Sequence, residues 1–276
     1  MRLLQRKNLN MARFVAAKKH FGQNFLHDEA VVAAILSAFA AQQGERVLEI
    51  GPGLGALTQH LLTSGAVVDV VEIDNDLIAH LNQRYPQLKR IHHQDALTFS
   101  LVDLNLSQQK VRVIGNLPYN ISTPLLFHFL MQKDHILDML FMLQKEVVER
   151  LAAQPGCKAY GRLSVMVQLQ CKVQALFSVS PQAFKPQPKV MSKIVYLVPY
   201  AKPLYDINSM VVLEDILRDA FNQRRKTIHN SLKQYFNSEQ LIALGLDPKM
   251  RAEQISIEQW VKLANACLPI TTDFSR

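Results

Sequence analysis

Five consecutive residues, Asn116-Leu117-Pro118-Tyr119-Asn120, put two amide side chains, a rigid turn and an aromatic ring directly after the apolar, β-branched run 111–115. An asparagine oxygen and a backbone carbonyl can accept the two hydrogens of an exocyclic amine, and an aromatic face can carry the ring that bears it. Open parallel α/β sheets bind ligands beyond the carboxyl ends of their strands. A cluster at that position is placed to present an amine to an electrophile. A proline turn whose asparagines satisfy local backbone would use the same five residues, so the rest of the chain has to decide.

Upstream, Val47-Leu48-Glu49-Ile50-Gly51-Pro52-Gly53-Leu54-Gly55 reads as a buried strand running into a glycine-rich turn that opens a helix. Gly51 and Gly53 let the backbone approach a ligand that any Cβ would hold away, and the helix start leaves N–H groups for it. Gly51, Gly53 and Ala56 also satisfy the G-x-G-x-x-G/A pattern of dinucleotide enzymes, so spacing leaves both ligands open. Glu72 closes the next strand, 21 positions after Gly51, and suits two ribose hydroxyls. Asp95, in Gln94-Asp95-Ala96, ends the third, where it could accept from an adenine amino group. Each acid could instead cap the helix behind it, but their succession at consecutive strand ends favours binding.

These residues need a scaffold of alternating strands and helices. The runs 46–50, 67–73, 89–93, 111–115, 137–143, 165–176 and 194–198 read as strands. Amphipathic stretches at 29–41, 56–64 and 76–85 lie between the early ones. This rhythm predicts a mostly parallel sheet covered by helices on both faces. The last two strands are joined by a Pro-rich segment, 181–188, without an evident helix, which predicts an antiparallel pair at the sheet's edge. Beyond Pro199 and Pro203, stretches 210–222, 225–235, 238–244 and 256–268 read as helices, with Ser238 and Ser256 suited to N-caps. The expected division is a basic arm over 1–17, an α/β domain over 18–205 and a small all-helical domain over 206–276.

Charge is segregated. Residues 1–20 carry six Lys/Arg and no acid, 21–142 carry seven against twelve, and 143–193 carry eight against two, within a net +8. That pattern fits a small cationic or neutral cofactor in one place and a polyanion along another face. No run approaches the roughly 18 apolar residues of a membrane span, and the first residues lack a signal-peptide core. A cytoplasmic protein away from membranes is expected. Cys157, Cys171 and Cys267 are scattered and suggest neither disulfide nor metal site.

Glu49-Ile50-Gly51-Pro52-Gly53-Leu54-Gly55, Glu72, Asp95 and Asn116-Leu117-Pro118-Tyr119, in this order, resemble the motifs of class I S-adenosylmethionine-dependent methyltransferases. More narrowly, Lys19-His20-Phe21-Gly22-Gln23-Asn24-Phe25-Leu26, the stretch 115–127, Gln144-Lys145-Glu146-Val147-Val148-Glu149-Arg150-Leu151, Tyr160-Gly161-Arg162-Leu163-Ser164-Val165 and Phe221-Asn222-Gln223-Arg224-Arg225-Lys226-Thr227 resemble the bacterial small-subunit rRNA adenine dimethyltransferases of the KsgA type. The likeness spans about 18–268. It implies a Rossmann-like fold, S-adenosylmethionine as cofactor, and dimethylation of N6 on two adjacent adenosines in the 3′-terminal hairpin loop of 16S rRNA, within an immature small subunit. It assigns the cofactor to Asn24, Leu26, Gly51, Gly53, Glu72, Asp95 and Asn116, with Asn24 and Leu26 folding over its methionine end.

On that reading Asn116 and Leu117 orient N6, Pro118 fixes the turn, Tyr119 stacks the base and Phe184 clamps its other face. Lys145, Arg150, Lys158, Arg162, Lys185, Lys189, Arg224, Arg225 and Lys226 are the candidates for RNA phosphates. A monomer is expected, with no metal. Rival readings are a large-subunit rRNA adenine methyltransferase, a non-catalytic ribosome-assembly or transcription factor on the same scaffold, and a nicotinamide dehydrogenase. An intact Asn116-Leu117-Pro118-Tyr119 argues against the second, and the lack of a His or Lys beside that motif against the third.

Overall fold

The computed structural model describes residues 17–106 and 109–267. Most of the basic arm, and the chain after 267, lie outside the described residues. Along the chain the elements are β1 (Phe25–Leu26), α1 (Glu29–Phe39), β2 (Arg46–Ile50), α2 (Thr58–Thr63), β3 (Val67–Glu72), α3 (Asn75–Arg84), β4 (Arg90–His93), β5 (Val111–Asn116), α4 (Ser122–Leu130), β6 (Ile136–Gln144), α5 (Lys145–Leu151), α6 (Arg162–Gln168), β7 (Cys171–Val179), β8 (Phe184–Lys185), β9 (Ser192–Pro199), α7 (Met210–Asn222), α8 (Ile228–Ser231), α9 (Ser238–Ala243) and α10 (Ile257–Ala266). Among the described residues no helix is long and apolar enough to cross a membrane.

The main sheet runs β4-β3-β2-β5-β6-β9-β7. Its first five strands are mutually parallel, and β9 is antiparallel to both β6 and β7. The expected antiparallel pair is therefore present, with β9 inserted between its neighbours. Successive residues of a strand face opposite sides. Leu48, Ile50, Val111 and Val113 accordingly enter one core with α4, while Val47, Val68, Val70 and Ile114 enter another with α1 and α2. This double burial explains why the strands read as continuous apolar runs. Helix α1 starts where Asp28 accepts hydrogen bonds from the N–H groups of Ala30 and Val31. It buries Val32, Ile35 and Phe39 along one stripe; each such side chain contributes roughly 1.5–3 kcal/mol.

At the end of the sheet away from the glycine loop, Arg112 Nε donates to both oxygens of buried Asp138, at 3.0 and 3.1 Å. Its Nη2 donates to the Phe39 carbonyl at 2.6 Å and its Nη1 to Glu45 at 2.8 Å. These bonds hold the Arg112 guanidinium charged despite burial and moor the end of α1 to the sheet.

A third core joins α7, α8, α9 and α10 to Ala153, Tyr160, Val165, Met166 and Leu169. Here the structure corrects the expected strand over 165–176. Residues 162–168 form α6 instead, and the strand begins at Cys171. Val165, Met166 and Val167 are all buried because α6 lies between two cores, so three successive apolar residues mask the helical period. The helix expected over 225–235 shrinks to α8, because residues 223–226 form a turn and Thr227 bridges Arg251. Asn237, not Ser238, caps α9; Ser256 caps α10 as expected.

Candidate active site

The carboxyl ends of β2, β3 and β5, with the loop after β4, enclose one cavity. Asn24, Leu26, Gly51, Gly53, Glu72, Asp95, Asn116, Leu117, Pro118 and Tyr119 all line it. Gly53 has φ +58°, and a Cβ built there would lie 3.1 Å from the Phe25 ring, so the loop and the segment above it close on each other only around a glycine.

That segment, residues 17–26, is a strap over the cavity. Lys18 pairs with Asp74 and Asp76, and Gln23 Nε2 donates to Asp74 at 3.0 Å. The Lys18 N–H donates to Gln23 Oε1 at 2.8 Å. At its far end, β1 pairs antiparallel with β8. In the middle, the Asn24 carbonyl accepts from Asn116 Nδ2 at 3.0 Å. A carbonyl partner requires a donor, which sets the Asn116 amide with its nitrogen toward the strap.

Two consequences follow for Asn116-Leu117-Pro118-Tyr119. Neither Asn116 Oδ1 nor the Leu117 carbonyl accepts a hydrogen bond among the described residues, so two adjacent acceptors border the cavity. The turn itself is held by Leu117 N–H to Met142 O at 3.3 Å, Ile121 N–H to Pro118 O at 3.2 Å and Ser122 Oγ to Tyr119 O at 3.1 Å. The Tyr119 hydroxyl shares a 2.7 Å hydrogen bond with Ser192 Oγ, and burial pushes its pKa upward.

The cavity's polarity is acidic. Glu72, 6% exposed, accepts from the N–H groups of Ile73 and Asp74 at 2.9 and 3.0 Å. Burial raises its pKa, and hydrogen bonds from Asp74, Ile73 and Gly53 oppose the rise. Glu49 lies deeper, 2% exposed, and receives the Thr58 hydroxyl at 2.6 Å. Burial, with Glu72 nearby, pushes its carboxyl up to about 7. Asp95 sits at the rim and accepts the Leu97 N–H at 2.9 Å. Buried carboxylates disfavour a pyrophosphate and favour a cation. A sulfonium with an ammonium tail, a ribose for Glu72 and an adenine amine for Asp95 fit this donor and acceptor set.

Phe184 is not where the sequence expectation put it. It is 1% exposed, is absent from the cavity lining, and packs into the core that includes Leu26, its strand partner. Pairing of β8 with β1 turns Phe184 inward and leaves Lys185 exposed.

All nine cationic candidates are exposed. Several of them gather at the two ends of α5. Lys145, at its start, donates its N–H to Met191 O at 2.9 Å, which sets it beside the loop carrying Lys185 and Lys189. Arg150 lies near its end, where Ser164 Oγ bonds the Arg150 carbonyl and brings Arg162 close. Arg224 Nη2 donates to the carbonyls of Lys158 and Tyr160 at 2.8 and 3.2 Å, so it already braces that segment. The Thr227–Arg251 bridge places exposed Arg251 next to Arg225 and Lys226, a neighbour that sequence reading missed because it lies well further along the chain, beyond α8 and α9. Ser192 and the Lys18–Asp74 latch were missed for the same reason.

The fold and this cavity define a class I S-adenosylmethionine-dependent methyltransferase. A family model described as ribosomal RNA adenine dimethylase matches residues 15–267, and the chain belongs to that family. "Ribosomal RNA small subunit methyltransferase A" of Pseudomonas aeruginosa is 53% identical over 251 residues, covering 90% of this chain and 94% of that protein. A crystal structure of a dimethyladenosine transferase from Plasmodium falciparum superimposes with TM-score 0.74 at 27% identity, over 87% of this chain and 95% of its own. The 23S rRNA methyltransferase ErmE does so with TM-score 0.70 at 25% identity, over 88% and 99%.

Proposed function

We propose that this methyltransferase dimethylates the N6 amines of two adjacent adenosines in the 3′-terminal hairpin loop of 16S rRNA, in the cytoplasm, while the small ribosomal subunit is being assembled. The observation that carries the reading is the pair of idle acceptors, Asn116 Oδ1 and the Leu117 carbonyl, bordering an acidic cavity. Both small- and large-subunit enzymes share this scaffold, since ErmE superimposes on it. The 53% identity with a small-subunit enzyme favours the former.

Asn24, Leu26, Gly51, Gly53, Glu72, Asp95 and Asn116 would hold S-adenosylmethionine, which supplies an electrophilic methyl group when bound. The N6 lone pair of adenine is delocalised into its ring and is a poor nucleophile. Two acceptors on its two hydrogens draw the nitrogen toward tetrahedral geometry and aim its lone pair. Pro118 fixes the turn that carries the second acceptor, and Tyr119 carries the extruded base. After one transfer a single N–H remains, and either acceptor can still hold it. Phe184 would reach the opposite face of the base only by leaving its core position. The cations at the two ends of α5, together with Arg225 and Lys226, would track the RNA backbone. We assign cofactor binding to residues 18–205 and ribosome recognition to 206–276.

The test is to incubate the protein with labelled S-adenosylmethionine and unmethylated small subunits and to map the product. Four methyl groups on two adjacent adenosines are expected; label on large-subunit RNA, or none, would overturn the reading. Asn116→Ala should lower kcat by roughly 10²–10³ while sparing subunit binding. Full activity in that variant would remove its orienting role.

A further inference from the structure

The reading of Tyr119 as a stacking platform does not use its hydroxyl. Stacking alone would be served by phenylalanine, yet this hydroxyl is held at 2.7 Å from Ser192 Oγ. Ser192 is 0% exposed and opens β9. Its backbone is paired on both sides, with Gln144 of β6 and Val179 of β7, so its oxygen is a fixed point on the sheet. Tyr119, by contrast, lies on the turn between β5 and α4. Its carbonyl is tied to Ser122, but a tyrosine ring can still swing about its side-chain torsions. The hydroxyl bond ties the far end of the ring to the sheet.

We infer that Ser192 is a positioning residue that fixes the plane of the Tyr119 ring against the target adenine. Ser192 also ends the loop 186–191, whose residue Met191 accepts the Lys145 N–H. The ring is therefore anchored where two of the cationic candidates, Lys145 and Lys189, meet the sheet. A strand of RNA held by that loop meets a platform whose tilt is set by the loop's own endpoint.

The inference rests on Tyr119 carrying the base, and the experiment separates the two. kcat and KM for unmethylated small subunits, and Kd for S-adenosylmethionine, are measured for Tyr119→Phe, Ser192→Ala, the two combined, and Tyr119→Ala. Each single variant should lower kcat roughly fivefold to tenfold, the scale of one lost neutral hydrogen bond. The double variant should be no worse than the lower single. KM and cofactor Kd should move less than twofold, since neither hydroxyl is among the groups assigned to the RNA backbone or the cofactor. Losses that multiply in the double variant, wild-type kcat in either single, or a parallel rise in cofactor Kd would each overturn the anchor. Tyr119→Phe removes only an oxygen, so that arm still decides if Ser192→Ala folds poorly. Full activity in Tyr119→Ala would sink the platform itself; loss there with wild-type activity in Tyr119→Phe would sink only the anchor.

Discussion

At the scale of single residues, the cavity sets two unpartnered acceptors, Asn116 Oδ1 and the Leu117 carbonyl, beside buried acids with a separate proposed role. Glu49 makes the second role measurable. Its carboxyl in the folded chain sits at about 7, against an ordinary 4.5, because burial disfavours its charge. The folded state therefore holds the proton more tightly than the unfolded state. The resulting stability is fully present below pH 4.5 and is lost as pH rises through 7. Urea unfolding from pH 4 to 8 should show the wild type losing a few kcal/mol relative to Glu49→Gln across that window. Parallel curves for the two proteins would show that Glu49 ionises freely in the fold. That Asn116, Tyr119, Glu72 and Asp95 would meet around one cavity was legible because each is a polar or aromatic type at or just beyond a strand end. Phe184 misled because its type suggests stacking, whereas its strand pairing decides which way it faces.

At the scale of elements, the strap is the piece whose place over the cavity was expected from family resemblance and not from the residues' own pattern. Residues 22–28 carry no periodicity; what organises them is a lysine and a glutamine reaching Asp74, more than fifty positions away, and a two-residue strand paired with β8. Lys18→Met should loosen the latch and raise Kd for S-adenosylmethionine a few-fold through faster release, more so at low salt. Stopped-flow release that is unchanged would show that the strap closes without it. The parallel strands β2, β3 and β5 were legible because both faces are largely buried and β-branched or aliphatic residues dominate each of them. Helix α6 was not, for a related reason: set between two cores, it buries the consecutive run Val165-Met166-Val167, which reads like a strand. The helical region was readable in its longer members, whose polar faces meet solvent. It failed at α8, whose ends are set by a tertiary bridge to Arg251.

At the scale of the whole molecule, charge divides the labour. The acidic stretch 21–142 contains β2, β3, β4 and β5 and most of the cavity, while the cations of 143–193 and the 224–226 block face outward. Among the latter, the structure distinguishes residues that equal charge would not. Arg224 braces the carbonyls of Lys158 and Tyr160, whereas Arg225 and Lys226 project from a turn. Arg225→Ala with Lys226→Ala should weaken subunit binding and reduce the salt slope of log K by roughly 2, with cofactor affinity intact. Arg224→Ala should also lower the melting temperature, because it leaves two carbonyls without their donor. Filter binding from 50 to 300 mM salt checks the first, and an unchanged slope would place the RNA on another face.

The hydrogen bond from Asn116 to the Asn24 carbonyl links two events that chemistry alone keeps separate. On the proposed reading each methyl group needs a fresh cofactor, and the strap lies across the cavity that would hold it. A strap that lifted would break this bond and free the Asn116 side chain, so cofactor exchange and the aim of the proposed N6 acceptor are coupled through one hydrogen bond.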